Sequence, residues 1–283
     1  MKPVCILTDG MAQFLDLEFS GQELVQLMPM QVDIAGANGA GDEELRPNLL
    51  PHARSGAVAP GLRAPSVEDF ARVYLNLALT HDEIVVVASC GGLTESYHNA
   101  AAAAEQTRGR CRVEVIDTGT VGVGQGILVA AAAVQSASGM DGGRLKKYLL
   151  GVSEKVYSVF CLKNMAYLVR LGLISTSQAY IGEMLGVQQL FYLNAGTLIP
   201  VQKVRNSRHL VESMLEFVAE FNDPQRVALQ QAATGYQQEA RTIRERLLQE
   251  YPEVGINELA LTLPLAALFG PESLGLFLWE VVI

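Results

Sequence analysis

The sequence predicts a two-domain α/β protein: an N-terminal parallel sheet with flanking helices, then a C-terminal mixed-sheet α/β domain. Three observations carry that expectation. The runs at residues 4–7 and 84–88 are continuously apolar, as strands buried on both faces are. Helical segments alternate with them, and strand–helix alternation builds a parallel sheet with helices on both faces. Beyond about residue 150 the pattern changes to a hairpin, amphipathic helices and further strands.

The chain has 283 residues, 49% hydrophobic and 18% charged, an ordinary globular composition. That length favours two domains sharing one interface, and the change of pattern divides them into 1–150 and 151–283. A formal net charge of −9 with dispersed basic residues argues against a nucleic-acid partner. Cys5, Cys90, Cys111 and Cys161 lie far apart without metal-type spacing, which reads as a reducing, cytoplasmic environment. The N-terminus reaches Asp9 after a few apolar residues, a strand rather than a signal peptide. No window approaches the roughly 20 apolar residues of a membrane helix, so no membrane insertion is expected. His52, His81, His98 and His209 are scattered and make no metal set.

In chain order, residues 4–7 end in Thr8-Asp9-Gly10, a buried strand with its loop. A helix is expected around 22–26 and a strand near 30–34. Residues 35–60, rich in Gly, Pro and Ala, read as a long loop. Ser66 after Pro65 caps a helix, with Asp69 three residues on and an apolar stripe through Val67, Phe70, Val73, Tyr74 and Leu77. The strand at 84–88 passes through Ser89-Cys90-Gly91-Gly92 into a helix capped by Thr94 and ending near Gln106. A strand at 113–116 ends in Asp117-Thr118-Gly119, and a small-residue helix starts near Gly124. The second half reads as a helix at 145–155, a strand at 157–161 and short helices at 165–171 and 177–185. Strands at 190–193 and 198–204 flank Asn194-Ala195-Gly196 as a hairpin, and Pro200 confines the second to an edge. An amphipathic helix at 210–221, a strand at 227–231, a charged helix at 239–249 and a strand at 275–282 complete the chain.

The loop at 89–94 is the sharpest candidate site. A strand end feeding a helix N-terminus offers free backbone N–H groups and a positive dipole end to an anion, and ligands of open parallel sheets bind at such ends. The alternative is a plain turn that needs glycine for its geometry. Cys90 at a helix N-terminus is a candidate nucleophile. However, no G-x-C-x-G elbow surrounds it, and His98 on the same helix should point away. Gly122, Gly124 and Gly126 follow a strand as G-x-G-x-G, which helix–strand packing explains better than a nucleotide. Asp9 and Asp117 end strands, and capping the following turns is their expected role.

Several segments together resemble one family. Ile6-Leu7-Thr8-Asp9, Met28-Pro29-Met30, Ala64-Pro65-Ser66 with Phe70, the Leu93-Thr94-Glu95-Ser96-Tyr97 segment through Ala100, and Val115-Ile116-Asp117-Thr118 with Gly124 and Gly126 follow in order. They are similar to the opening strand-plus-Asp, V-P-L, T-S-x-P-S, L-S-G-T-Y-x-x-A and I-D-S segments of the DegV family of fatty-acid-binding proteins. Tyr167-Leu168, Ile174, Gly182, Lys203-Val204-Arg205 and Gly270-Pro271 continue the match over nearly the whole chain.

The resemblance implies a protein that holds one long acyl chain between its domains and is not itself an enzyme. In bacteria with a fatty acid kinase, such a protein presents the fatty acid to that kinase. Arg205 would then lie on the partner surface. The departures fall on the head group. The family's hydroxyl positions read Leu62-Arg63 and Cys90-Gly91, its G-G-R segment reads Leu171-Gly172-Leu173, and its H-x-G-P-G histidine falls on Leu268. The implied site is a head-group region of Arg63, Cys90, Gly91 and Thr94 with an apolar lining of Leu62, Leu93, Leu173 and Leu268. No metal, and no cofactor beyond the acyl ligand, is implied.

Burying about 15 methylenes at ~0.8 kcal/mol each gives on the order of 12 kcal/mol gross, whereas an ionised carboxylate buried without partners costs several kcal/mol. Either a new cation replaces the hydroxyls or the ligand's head differs. Arg63 is the introduced charge; it either pairs with a carboxylate or points to solvent. A neutral or larger-headed lipid, a cysteine-dependent enzyme using Cys90, and a fold serving only protein contacts remain the alternatives.

Overall fold

A computed structural model of the chain describes residues 3–16, 18–33, 50, 59–221, 224–231 and 235–280. Strand β1 (Cys5–Asp9) is buried throughout and pairs in parallel with β2 (Val25–Met28). β3 (Gln31–Asp33) and β4 (Gly61–Arg63) form a separate antiparallel ribbon. β5 (Glu83–Ala88) lies on the other side of β1, and β6 (Arg112–Asp117) completes a four-stranded parallel sheet of order β2-β1-β5-β6.

The continuous apolar strands have helices to bury against on both faces. Cys5, Leu7, Ile84 and Val86 pack on α1 (Val67–Leu77) and α2 (Ser96–Gln106). Ile6, Val85 and Val87 pack on α3 (Val123–Ala137) and α4 (Gly142–Ser153). The start of α1 follows its sequence signature: Ser66 and Asp69 close a capping box, and Phe70, Tyr74 and Leu77 are buried.

The second half contains β7 (Val156–Leu162), α5 (Met165–Arg170), α6 (Thr176–Met184) and the hairpin β8 (Gln188–Asn194) and β9 (Thr197–Val204). α7 (Ser207–Ala219), β10 (Arg226–Gln231), α8 (Gln237–Glu250), β11 (Gly255–Ala260), α9 (Leu263–Phe269) and β12 (Ser273–Trp279) follow. Six strands form a mixed sheet of order β11-β10-β12-β7-β8-β9, in which only β10 and β11 are parallel. β9 is an edge strand, where Pro200 costs no ladder hydrogen bond to a further neighbour.

Strand alternation divides this sheet into two different faces. Val159, Cys161, Leu274, Leu276 and Leu278 face α7 and α8. Phe160, Leu162, Phe277 and Trp279 face the opposite way, into a cluster that also takes Met11, Cys90, Val121, Val123 and Ile127 from the N-terminal half. Gly275 belongs to the packing on that face, because a Cβ there would stand 3.0 Å from the Phe160 ring.

Some elements differ from expectation. Residues 22–26 are not a helix: a 3-10 turn (Gln22–Leu24), entered through Gly21 at φ 80°, leads straight into β2. Pairing with β1 outweighs a short helical pattern there. α2 begins at Ser96, two residues beyond the expected Thr94 cap. Thr94 instead pairs its hydroxyl with that of Ser89 at 2.7 Å and accepts from the Ser96 N–H at 3.3 Å. β4, β11 and α9 are absent from the sequence reading. Pro264 masks α9, yet proline is tolerated in a first helical turn. The expected loop at 35–60, with His52, lies largely outside the described residues, as do Ile34 and the last residues of the 275–282 strand.

Candidate functional site

Ser89-Cys90-Gly91-Gly92 leaves β5 beside the end of β1, where strand order reverses. Open parallel sheets bind ligands at that position. Here the chain fills it from within. The buried Asp9 carboxylate accepts hydrogen bonds from Met11 N–H (3.1 Å), Ser89 N–H (2.8 Å), Ser96 Oγ (2.5 Å) and Gln125 Nε2 (3.2 Å). The Cys90 N–H donates to the Thr120 carbonyl, and those of Leu93 and Thr94 donate to the Cys90 carbonyl. The Gly91 N–H donates to both Asp117 oxygens at 3.2 Å, while Gly119 N–H donates to Asp117 Oδ1 at 2.9 Å. The free donors expected at this loop are thus largely engaged. Asp9 and Asp117 do cap the turns that follow them, and they also bind the neighbouring loop.

The tip of the β8–β9 hairpin closes over the same loop. A Cβ on Gly92 would lie 2.2 Å from the Gly196 carbonyl, and the Gly196 N–H donates to the Gly119 carbonyl at 3.1 Å. The Cys90 thiol is fully buried and donates to the Gly196 carbonyl at 3.2 Å. Burial, with the Asp117 charge adding to it, pushes that thiol up to about 11. His98 does not point away from the loop as expected: its Nε2 would stand 3.2 Å from a Cβ on Gly91. The ring is exposed and lies edge-on to Tyr97. Gly124 and Gly126 serve close packing, since added Cβ atoms would meet Thr120 Oγ1 at 2.4 Å and the Gln13 carbonyl at 2.0 Å.

Arg63 points away from the cluster. Its Nη2 and Nε contact the two Asp33 oxygens at 3.0 and 2.8 Å across the β3–β4 ribbon, and the side chain is 64% exposed. The four leucines expected as apolar lining lie in or against the apolar cluster. Leu268 is buried in the cluster between the halves, and Leu62, Leu93 and Leu173 pack against it. Cys90 belongs to the same cluster. Arg205 is exposed just beyond β9. A cavity of about 420 Å³ shares Leu15, Ile127 and Trp279 with the cluster and is also lined by Phe14, Phe19, Asp16 and Arg226, but by none of Leu62, Leu93, Leu173 and Leu268. That volume falls in the range of small-molecule sites.

One residue escapes the sequence reading. Arg170, at the end of α5, turns its guanidinium inward. Nη1 donates to the Pro60 carbonyl at 2.7 Å, and Nη2 donates to those of Ala267 and Leu268 at 2.6 and 2.9 Å. The guanidinium carbon lies 5.8 Å from the centre of the Tyr167 ring. Burial lowers its pKa, the cost of placing a cation beside apolar side chains. Its sequence signal was available: Arg170 is the lone charge in the stretch 165–174.

The model of the family described as "Uncharacterised protein, DegV family" matches residues 3–281. The chain belongs to the DegV family. A relative, the fatty acid-binding protein of Thermotoga maritima, is 25% identical over 228 residues, 77% of this chain and 76% of its own. The structure of a fatty-acid-binding DegV family protein from Thermus thermophilus superposes with a TM-score of 0.79 at 25% identity, covering 99% of this chain and all of that one. The Streptococcus pneumoniae fatty acid kinase B3 protein, loaded with linoleic acid, shares the fold at a TM-score of 0.79 and 18% identity, covering 99% of both chains. The DegV match spans both sheets and the cluster between them. Among the described residues, no helix is long and apolar enough to cross a membrane, and no group of three or more His, Cys, Asp or Glu is placed to hold a metal ion.

Proposed function

We propose that this DegV-family chain binds one long acyl chain, a free fatty acid or a related acyl ligand, between two domains divided near residue 150. The observation that carries the reading is the cluster itself. It joins one face of the mixed sheet to residues of the N-terminal half, it gathers Leu62, Leu93, Leu173 and Leu268, and a cavity opens on it. Relatives described as fatty-acid-binding proteins support the same ligand class.

Apolar burial on the order of 12 kcal/mol gross is ample for retention after the ordering costs of binding. The reading is binding without chemistry on the ligand: the buried, protonated Cys90 lacks the thiolate a nucleophile requires. The description of the pneumococcal neighbour supports extension to presentation of the acid to a kinase, with Arg205 on the presenting surface. The four free cysteines suit the cytoplasm.

Delipidated protein tests the reading. Adding palmitate should raise its melting temperature in a dose-dependent way, since a ligand of the folded state stabilises by mass action. A melting temperature indifferent to fatty acids of every length would contradict it.

A further inference from the structure

We propose that Arg170 receives the acidic head of the acyl ligand. The inference rests on the acyl-binding reading above and adds which head group the site selects.

The guanidinium carries five N–H donors in a planar fork. Three carbonyls, of Pro60, Ala267 and Leu268, occupy the Nη atoms, while Nε is buried with no acceptor. Among the described residues no carboxylate pairs with it; the charged or titratable neighbour acting on it is Tyr167. Carbonyl dipoles hold the fork in place without neutralising its charge. A cation kept in this state next to apolar side chains is costly unless an anion joins it.

The surroundings identify where that anion would come from. Leu268, whose carbonyl accepts from Arg170, is buried in the apolar cluster; Leu173, three residues beyond Arg170, and Leu62, two residues beyond Pro60, pack against it. A fatty acid with its chain in the cluster would bring a carboxylate to an unpaired N–H and an uncompensated charge. Charge-assisted guanidinium–carboxylate bonds are the strong class of hydrogen bond. Arg63 offers no such opportunity, because Asp33 already binds it in solvent.

The test compares palmitate with hexadecanol, which has the same chain and a neutral head. Arg170→Gln should lose at least tenfold in palmitate affinity while hexadecanol affinity stays within about twofold; Arg170→Lys should recover part of the loss. Equal loss of both ligands would make Arg170 a structural clamp and overturn the proposal, as would no loss of either. Should the variants fail to fold, palmitate labelled with ¹³C at the carboxyl decides on the unaltered protein. Its resonance should stay at the ionised position to a lower pH than for the free acid, and protonation at a higher pH would overturn the proposal. Tight binding of both ligands without the carboxylate signature removes only the Arg170 role. Binding of neither removes the acyl reading with it.

Discussion

Cys90 and Arg63 both look functional as letters, and in the fold each already has a partner, the Gly196 carbonyl and Asp33. The Cys90 thiol ordinarily ionises near 9.0, and burial moves it to about 11 in the folded chain. Two pH units mean roughly a hundredfold less thiolate at neutral pH, so iodoacetamide should label Cys90 far more slowly than a model thiol. The sign of the stability effect follows. The folded state binds the proton more tightly, so this contribution is full below pH ~9 and fades as the pH rises towards 11. A denaturant midpoint that falls across that window, and falls less in Cys90→Ala, is expected. Rapid alkylation at pH 7 would contradict the account. Arg63→Ala should leave palmitate affinity unchanged in a binding titration, because the side chain lies in solvent with Asp33. At this scale the burial of apolar residues was legible in the sequence and the orientation of polar ones was not. Leu62, Leu93, Leu173 and Leu268 all lie in or against one cluster, whereas the orientation of Arg63 and Arg170 depends on a ribbon and on carbonyls distant in sequence.

The hairpin β8–β9 is the element that most changes the meaning of the 89–94 loop. Its Ala195-Gly196 tip, with Ala195 at φ 44° and Gly196 at φ 82°, sits on Gly92, Cys90 and Gly119. Gly92→Ala would force a Cβ to 2.2 Å from a backbone carbonyl. A loss on the order of 1–3 kcal/mol in chemical denaturation is expected, and full stability in that variant would show that the tip is not seated there. Elements with their own local signature were legible: the capping box of α1, the β-branched strand β5, the Pro200 edge strand. The 3-10 turn before β2 and the strands β4 and β11 were not. Their short segments take their form from pairing partners, and no three- to six-residue pattern encodes a partner.

Across the whole molecule, the mixed sheet buries one face under its own helices and turns the other toward the N-terminal half. Both halves therefore contribute to one apolar body, and an acyl chain within it would brace them together. The fold class could be read from alternating segments because burial on one face or two leaves different periodicities. The ligand's place could not, because it depends on how two sheets meet. The most direct test is native mass spectrometry of the protein purified from bacterial cells, followed by solvent extraction. The account predicts a mass increment of one long-chain fatty acid per chain, recovered in the extract and lost on delipidation. A chain of bare mass whose extract contains no acyl compound would contradict it.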